Sequence, residues 1–136
     1  MRSDRELADI AIEAMKNSYS PYSDFKVGAA LLCRDGTVFT GCNIENAAFS
    51  STVCSERTAF FKAVSDGKRE FSAIAVVGGK NGTVDGFCPP CGVCRQVMNE
   101  FCGKDFKIIL FNGKDIKGFT IGDLLPESFG AKKLCE

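Results

Sequence analysis

The chain begins with the pattern of an amphipathic helix. Ser3 and Glu6 have the spacing of a capping box, in which side-chain oxygens accept hydrogen bonds from the first backbone N–H groups. The apolar residues that follow share one helical face: Leu7, Ile10, Ala11 and Ala14. This pattern predicts a first helix over about residues 4–17, which the turn-forming segment 20–23 brings to an end.

Two segments that favour strands come next, at residues 27–33 and 37–42. Asp35 and Gly36 lie between them and favour a hairpin turn, so we expect an antiparallel pair. The polar and irregular segment 43–53 then indicates a loop that leads into a second helix.

Helices and apolar runs of strand length alternate in the rest of the chain. The second helix begins near Cys54, and Gly67 stands where a left-handed residue ends a helix. Its apolar stripe consists of Ala59, Phe60, Ala63 and Val64. Residues 71–77 form a largely apolar run, which is typical of a strand buried on both faces, and the Gly-rich segment 78–90 indicates a loop.

A third helix is predicted from about Cys91 to Gly103, with Val97, Met98 and Phe101 facing inward. Residues 106–111 form a second apolar strand, and a short helix is expected near 121–125. A strand, a crossover helix and a further strand favour parallel pairing, with helices on both faces of the sheet. We therefore predict an α/β fold in three layers, α/β/α, around one mixed sheet.

Composition limits the classes of function. The chain has 136 residues and a mass of 14.7 kDa, so we expect a single domain over residues 1–136. Seventeen basic and 17 acidic residues cancel, which argues against nucleic acid as a partner. No apolar run approaches the roughly 18 residues of a membrane span, so we expect no membrane partner. The first ten residues lack the apolar core of a signal peptide, and we expect a cytoplasmic protein.

The chain has no histidine and eight cysteines. The absence of imidazole excludes Ser/His/Asp and Cys/His catalysis, so a general acid or base must be a carboxylate, Lys, Tyr or Cys. Thiols stay free in a reducing cytoplasm, and clustered thiols there are better interpreted as metal ligands than as disulfides. The cysteines are Cys33, Cys42, Cys54, Cys88, Cys91, Cys94, Cys102 and Cys135.

Two short motifs stand at the predicted starts of the second and third helices: residues 54–57 (CSER) and residues 89–96 (PPCGVCRQ). In a βαβαβ arrangement the carboxyl ends of neighbouring strands meet at one edge of the sheet, so both helix N-termini can face one crevice. We therefore expect the thiols of Cys54, Cys91 and Cys94 to converge.

The start of a helix suits such thiols, because its unpaired N–H groups and its dipole stabilise the thiolate form. Three thiolates and one Zn²⁺ carry a net charge of minus one, so we expect Arg57 and Arg95 to donate charge-assisted hydrogen bonds to sulfur. Three protein ligands leave one position of a tetrahedral zinc open for water, as in catalytic sites. We predict one Zn²⁺ per subunit, with Cys54, Cys91 and Cys94 as its ligands.

Glu56 follows Cys54 by two residues and is predicted to lie near the metal without binding it. A carboxylate there can take a proton from metal-bound water and deliver it to a substrate. Cys54-x-Glu56 followed by Pro90-Cys91-x-x-Cys94 matches the signature of zinc deaminases in a three-cysteine form, with Cys54 in the place of the usual histidine.

Other interpretations of the cysteines stay open. A structural zinc site would recruit Cys42 or Cys88 as a fourth ligand, and a redox pair would use Cys91 and Cys94 alone. The iron–sulfur run of ferredoxins is excluded, because it needs a cysteine where Met98 stands. The cysteines outside the motifs are interpreted as small core or near-surface residues: Cys33, Cys42, Cys102 and Cys135.

Three segments resemble a known family: 25–30 (FKVGAA), 41–47 (GCNIENA) and 54–59 (CSERTA). They are similar to the free-nucleoside cytidine deaminases, small homotetrameric zinc enzymes of pyrimidine salvage, and the resemblance extends over about residues 8–129. It implies a mixed five-stranded sheet between helices, and a homotetramer with active sites shared between subunits.

The resemblance also implies roles for individual residues. Asn43 and Glu45 would bind ribose hydroxyls, for which an amide and a carboxylate are suited. Phe25 would stack near the pyrimidine, and the backbone at Ser55 would contact the base. Phe129, in the C-terminal tail, would reach the pocket of a neighbouring subunit.

Two positions depart from the family pattern. The family usually has alanine where Ser55 stands, and a backbone contact tolerates that change. Many relatives have tyrosine where Phe49 stands, which removes a hydroxyl contact to the 5′ end of the sugar.

The implied reaction is the hydrolytic deamination of cytidine or deoxycytidine to uridine or deoxyuridine and ammonia, which makes the chain a hydrolase of a cyclic amidine C–N bond. Zinc-bound hydroxide would attack C4 of cytosine, and Glu56 would move protons to N3 and to the leaving nitrogen. The alternatives are a deaminase that acts on a nucleotide, a nucleic acid or a cytosine-bearing antibiotic, and a non-catalytic binding module stabilised by zinc.

Overall fold

The computed structural model describes residues 2–135. The helices are α1 (Asp4–Met15), α2 (Ser55–Ser65), α3 (Gly92–Phe101), α4 (Ile121–Leu124) and α5 (Ala131–Cys135), with a 3-10 turn at Phe49–Ser51. The strands are β1 (Phe25–Cys33), β2 (Val38–Cys42), β3 (Phe71–Lys80), β4 (Lys107–Phe111) and β5 (Ile116–Thr120). No helix in this part of the chain is long and apolar enough to cross a membrane.

The five strands form one mixed sheet in the order β2-β1-β3-β4-β5. β1 pairs antiparallel with β2 and with β3, β3 pairs parallel with β4, and β4 pairs antiparallel with β5. Since β2 and β3 both oppose β1, they run in the same direction and end where β1 begins. Phe25 is paired with Lys80 and Gly28 with Cys42 at this edge, which we call the site edge.

Helices cover both faces of the sheet. One face packs against α1 through a buried cluster that includes Leu7, Ala8, Ala11 and Met15 on the helix and Ala30 and Leu32 on β1. The opposite face packs against α2 and α3 through Ala59, Phe60, Ala63, Cys94 and Met98, with Ala29 and Leu31 from β1. Successive residues of β1 thus enter opposite cores. The predicted three-layer α/β/α fold with a mixed five-stranded sheet is confirmed.

The local signals at the helix starts are also confirmed. Ser3 Oγ accepts a hydrogen bond from Glu6 N, and Glu6 Oε1 accepts one from Ser3 N, each at 3.1 Å. α1 ends at Met15, two residues earlier than predicted, because the chain enters a turn there. α2 and α3 begin directly after Cys54 and Cys91, which are their N-cap residues.

Hydrophobic patterning missed β5 and α5. All residues of β5 are exposed or half-buried, so this edge strand has no apolar face that alternation could reveal. β3 continues to Lys80, three residues beyond the predicted end, because Gly78 and Gly79 still pair with Val27 and Lys26 of β1. Glycines that indicate a loop in the sequence are here part of a strand.

Gly41 allows α2 to lie directly against β2. A Cβ atom at this position would lie 2.2 Å from the carbonyl oxygen of Ser55 and 2.6 Å from the backbone nitrogen of Ala59. Non-bonded atoms do not approach so closely, so a side chain here would push the helix away. The glycine therefore sets the position of the α2 N-terminus over the site edge.

Candidate active site

Three thiols converge at the N-termini of α2 and α3. The Sγ atoms of Cys54, Cys91 and Cys94 all lie within 4.8 Å of one another. Cys54 Sγ is 3.6 Å from Cys91 Sγ, which in turn is 3.4 Å from Cys94 Sγ. Sulfurs bound tetrahedrally to one zinc at about 2.3 Å are about 3.8 Å apart, so this donor set fits Zn²⁺ in both chemistry and size.

The topology explains this convergence. α2 follows β2 and α3 follows β3, and both strands end at the site edge. Cys54 and Cys91 are N-cap residues, yet neither uses its side chain to cap the helix backbone, so both sulfurs stay available. Cys94 is buried in the first turn of α3, Cys54 is half-buried and Cys91 is exposed. The cluster is therefore open to solvent on the Cys91 side.

Arg57 supplies positive charge to the cluster. Its Nη2 donates a hydrogen bond to Cys54 Sγ at 3.4 Å. The Cys94 thiol, Arg57 and the Cys91 thiol lower the pKa of Cys54 to about 5, against the opposing effect of burial. The hydrogen bond to Cys54 and burial together raise the pKa of Cys94. Cys54 therefore loses its proton before Cys94 does, and the positive charge of Arg57 stabilises the resulting thiolate.

Arg95 occupies a different place from the one expected. Its Nε donates to the carbonyl oxygen of Pro90 at 2.7 Å, and its Nη1 donates to that of Leu124 at 2.9 Å. Among the described hydrogen bonds none joins Arg95 to a cysteine sulfur, because its guanidinium is engaged by these two carbonyls. Arg95 thus ties the loop before α3 to the end of α4 and supports the cluster through the backbone.

Glu56 places a carboxylate beside the thiols, in the first turn of α2. Its side chain is buried, and burial raises the pKa of its carboxyl group, with a further contribution from the negative charge of Cys54. Ser55 Oγ donates a hydrogen bond to Glu56 Oε1 at 2.6 Å. The carboxyl group is thus withdrawn from bulk water and held in one orientation next to the cluster.

Asn43 lies at the same edge, directly after β2. Its Nδ2 donates to the carbonyl oxygen of Phe25 at 2.8 Å, and its Oδ1 accepts from Val27 N at 2.9 Å and from the Ser18 hydroxyl. These bonds fasten the end of β2 to the start of β1. An amide has two N–H donors, so one N–H of Asn43 remains uncommitted among these contacts.

Glu45 is held by the turn before β1. Its Oε1 accepts from the backbone N–H groups of Tyr22 and Ser23 at 3.0 and 3.1 Å, and its Oε2 accepts from the Ser23 hydroxyl. These hydrogen bonds, first that from the Ser23 hydroxyl, hold the pKa of Glu45 below its ordinary value. Glu45 also lines a surface pocket of about 310 Å³ with Tyr22, Ser23, Asn46, Phe49 and Thr52.

The three aromatic residues singled out in the sequence differ in their surroundings. Phe25 begins β1 and is 40% exposed, and its ring lies against Gly78 together with the Cys88 thiol. Phe49 is 77% exposed and meets the Tyr22 ring edge-on. Phe129 is 57% exposed, although its carbonyl oxygen accepts hydrogen bonds from Gln96 and Asn99 of α3. Its backbone is anchored while its ring is turned outward.

The other cysteines lie apart from the cluster. Within residues 2–135, neither Cys42 nor Cys88 belongs to the group of thiols that could hold a metal ion. Cys33 is buried, and Cys42 and Cys102 are half-buried, in line with their interpretation as core or near-surface residues. The side chain of Cys135 lies outside the described part of the structure.

Sequence reasoning missed the serines that hold the site residues. Ser18 contacts Asn43 and Ser23 contacts Glu45, across 25 and 22 residues of sequence. No motif or spacing links residues at such separations. The Ser55 hydroxyl was also missed, because only the backbone of this residue was expected to act.

Comparison with known proteins completes the assignment. The sequence model of the family described as "Cytidine and deoxycytidylate deaminase zinc-binding region" matches residues 1–110, so fold and site together define a zinc-binding deaminase. The chain is 54% identical over 123 residues to the cytidine deaminase of Sporosarcina psychrophila, a match that covers 90% of this chain and 88% of the relative. It is 51% identical over 125 residues to that of Halalkalibacterium halodurans, covering 91% and 92%.

A solved structure agrees with these matches. The crystal structure of cytidine deaminase from Burkholderia pseudomallei superimposes with a TM-score of 0.87 at 46% identity, covering 94% of this chain and 100% of that chain. The chain belongs to the cytidine deaminase family of zinc-dependent hydrolases.

Proposed function

We propose that this chain catalyses the hydrolytic deamination of cytidine and deoxycytidine, with uridine or deoxyuridine and ammonia as products. The observation that carries this proposal is the buried carboxylate of Glu56, which lies in the first turn of α2, two residues after one of three convergent thiols. Two relatives that are 54% and 51% identical to this chain are named cytidine deaminase, which supports a cytosine nucleoside as substrate.

Cys54, Cys91 and Cys94 would hold the zinc ion. When bound, the metal supplies Lewis acidity that lowers the pKa of a water molecule, so that a nucleophile is available at neutral pH. Arg57, through its hydrogen bond to Cys54, offsets the negative charge that three thiolates bring to the site. The exposed position of Cys91 leaves a side of the cluster open for water and substrate.

We assign the proton transfers to Glu56. Water adds its oxygen to C4 of cytosine, and Glu56 carries one proton from that water to N3. Glu56 then carries the proton of the new C4 hydroxyl to the amino group, the C4–N bond breaks, and ammonia departs. C4 becomes the carbonyl carbon of uracil, and the proton on N3 remains in the product.

Residues at the site edge would recognise the nucleoside. The uncommitted N–H of Asn43 and the ionised carboxylate of Glu45 are suited to ribose hydroxyls. The half-exposed ring of Phe25 offers an apolar face for the pyrimidine, and the backbone at Ser55 would contact the base. Neither the contacts to the sugar nor the contacts to the base require the 2′-hydroxyl, so both cytidine and deoxycytidine fit this arrangement.

We further propose a homotetramer in which Phe129 completes the pocket of a neighbouring subunit. The backbone of Phe129 is anchored to α3 while its ring is exposed, as a group that reaches a partner requires. Since uridine and ammonia are the products, the reaction has its place in pyrimidine salvage.

The test measures zinc and turnover on one preparation. The zinc-loaded chain is assayed for metal per subunit and for the loss of cytidine absorbance, with deoxycytidine, a cytosine nucleotide and a cytosine-bearing antibiotic as comparison substrates. We expect one zinc per subunit and the fastest turnover on the nucleosides. Full zinc content without any deamination would indicate a binding module, and faster turnover of the nucleotide or the antibiotic would contradict the assigned substrate.

A further inference from the structure

Ser55 and Glu56 form a buried pair in the first turn of α2. Ser55 is fully buried and Glu56 is 3% exposed. Ser55 Oγ donates to Glu56 Oε1 at 2.6 Å, a separation within the range of hydrogen bonds between a hydroxyl and an oxygen acceptor. The two residues are adjacent in the chain, so their backbones need no long-range packing to bring the pair together.

Among the hydrogen bonds of residues 2–135, the Ser55 hydroxyl takes part only in the one to Glu56. A serine near the start of a helix usually accepts a hydrogen bond from a free backbone N–H. The N-cap of α2 is Cys54 instead, with no side-chain cap bond. A hydroxyl has a single proton to donate, and Ser55 donates it to Glu56.

The backbone beneath this pair is fixed. The carbonyl oxygen of Ser55 lies against Gly41 of β2 so closely that a Cβ there would be only 2.2 Å away. Cys54, which precedes Ser55 in the chain, contacts Arg57 and the Cys91 thiol through its sulfur. Ser55 Oγ is therefore a fixed point for the carboxylate, because the turn that carries it cannot shift freely.

We propose that Ser55 is a positioning residue for Glu56: its hydroxyl holds Oε1 and leaves Oε2 to exchange protons with water and substrate. This inference rests on the proposed function, in which Glu56 exchanges protons with water, with N3 and with the leaving nitrogen in turn. A proton carrier with several partners needs one defined orientation, since small displacements of a catalytic group lower the rate strongly.

The test replaces Ser55 by alanine in two backgrounds, the native chain and a Glu56→Asp variant. In the native background, Ser55→Ala is expected to lower kcat by about 10-fold. This factor corresponds to the low end of what a hydrogen bond to a charged group contributes. KM for cytidine and the zinc content should stay within about twofold, because the hydroxyl donates to Glu56 and the substitution leaves the backbone of Ser55 in place. Ser65→Ala, an exposed change at the end of the same helix, is the matched control and should leave kcat unchanged.

In the Glu56→Asp background the shorter carboxylate no longer reaches Ser55 Oγ, so Ser55→Ala should cost less than about twofold there. An equal loss in both backgrounds would mean that Ser55 acts through the fold, and it would overturn the proposal. So would a Ser55→Ala enzyme with native kcat. These results would leave the proposed function intact, whereas a zinc-loaded native chain that does not deaminate cytidine would overturn both.

Discussion

Arg57 Nη2 lies 3.4 Å from Cys54 Sγ, where Cys54 is the N-cap residue of α2 and Arg57 lies in the first turn of that helix. Arg57 Nε is buried and has no hydrogen-bond partner among the described residues. Burying a guanidinium nitrogen without a hydrogen-bond partner costs free energy, because the nitrogen loses its contact with water. The attraction between the guanidinium and the cysteine sulfur offsets this cost. The charge of Arg57 is thereby linked to the thiolates that bind metal.

Arg57→Gln should therefore weaken metal binding. Glutamine removes the positive charge, so we expect zinc affinity to fall by about 10–100-fold, the usual effect of losing a group that supports metal ligands. Competition with a chromogenic chelator measures this affinity. Arg34→Gln changes an exposed arginine and should leave it unchanged. Full zinc retention and native turnover in Arg57→Gln would contradict the role given to this guanidinium.

Glu56→Gln should abolish turnover while zinc stays bound. The amide has almost the shape of the carboxylate but cannot carry a proton, and general acid–base catalysis contributes about 10²–10⁴ in rate. Metal analysis and the cytidine absorbance assay on the same sample separate the two effects. Glu70→Gln, an exposed change, is the control. Substantial deamination by Glu56→Gln would overturn the assignment of Glu56.

Two cysteine variants separate a three-thiol from a four-thiol site. Cys94→Ser should lose zinc and activity, because Cys94 Sγ belongs to the convergent cluster. Cys88→Ser should keep both, since Cys88 lies outside the cluster and burial raises the pKa of its thiol to about 11. Zinc loss in Cys88→Ser would indicate that Cys88 completes a closed structural site.

Local sequence signals predicted the parts of the site that depend on local structure. The capping box at Ser3, the hairpin turn and the helix starts at Cys54 and Cys91 each involve residues that are close in the chain. Once two helices are known to start at one sheet edge, the convergence of their thiols follows from topology.

Contacts between distant segments could not be predicted in this way. The Ser23–Glu45 bond depends on how the turn before β1 meets the loop after β2. Arg95 donates hydrogen bonds to the carbonyl oxygens of Pro90 and Leu124, and this arrangement depends on the position of α4. β5 was missed because an exposed edge strand has no alternating apolar pattern.

Gly41→Ala should destabilise the fold and disturb the metal site together. The new Cβ would lie 2.2 Å from the Ser55 carbonyl oxygen, so α2 must move away from β2. Overpacking of this kind costs about 1–3 kcal/mol in the free energy of unfolding, and a shift of α2 also moves Cys54 away from Cys91. Denaturant unfolding at one fixed protein and zinc concentration measures the first effect, and chelator competition measures the second.

The matched control is Gly118→Ala on β5, where the nearest atom to the new Cβ is 3.9 Å away. The free energy of unfolding of this variant should change by less than about 0.5 kcal/mol. If Gly41→Ala kept native stability and zinc affinity, the close packing of α2 on β2 would not be what aligns the thiols.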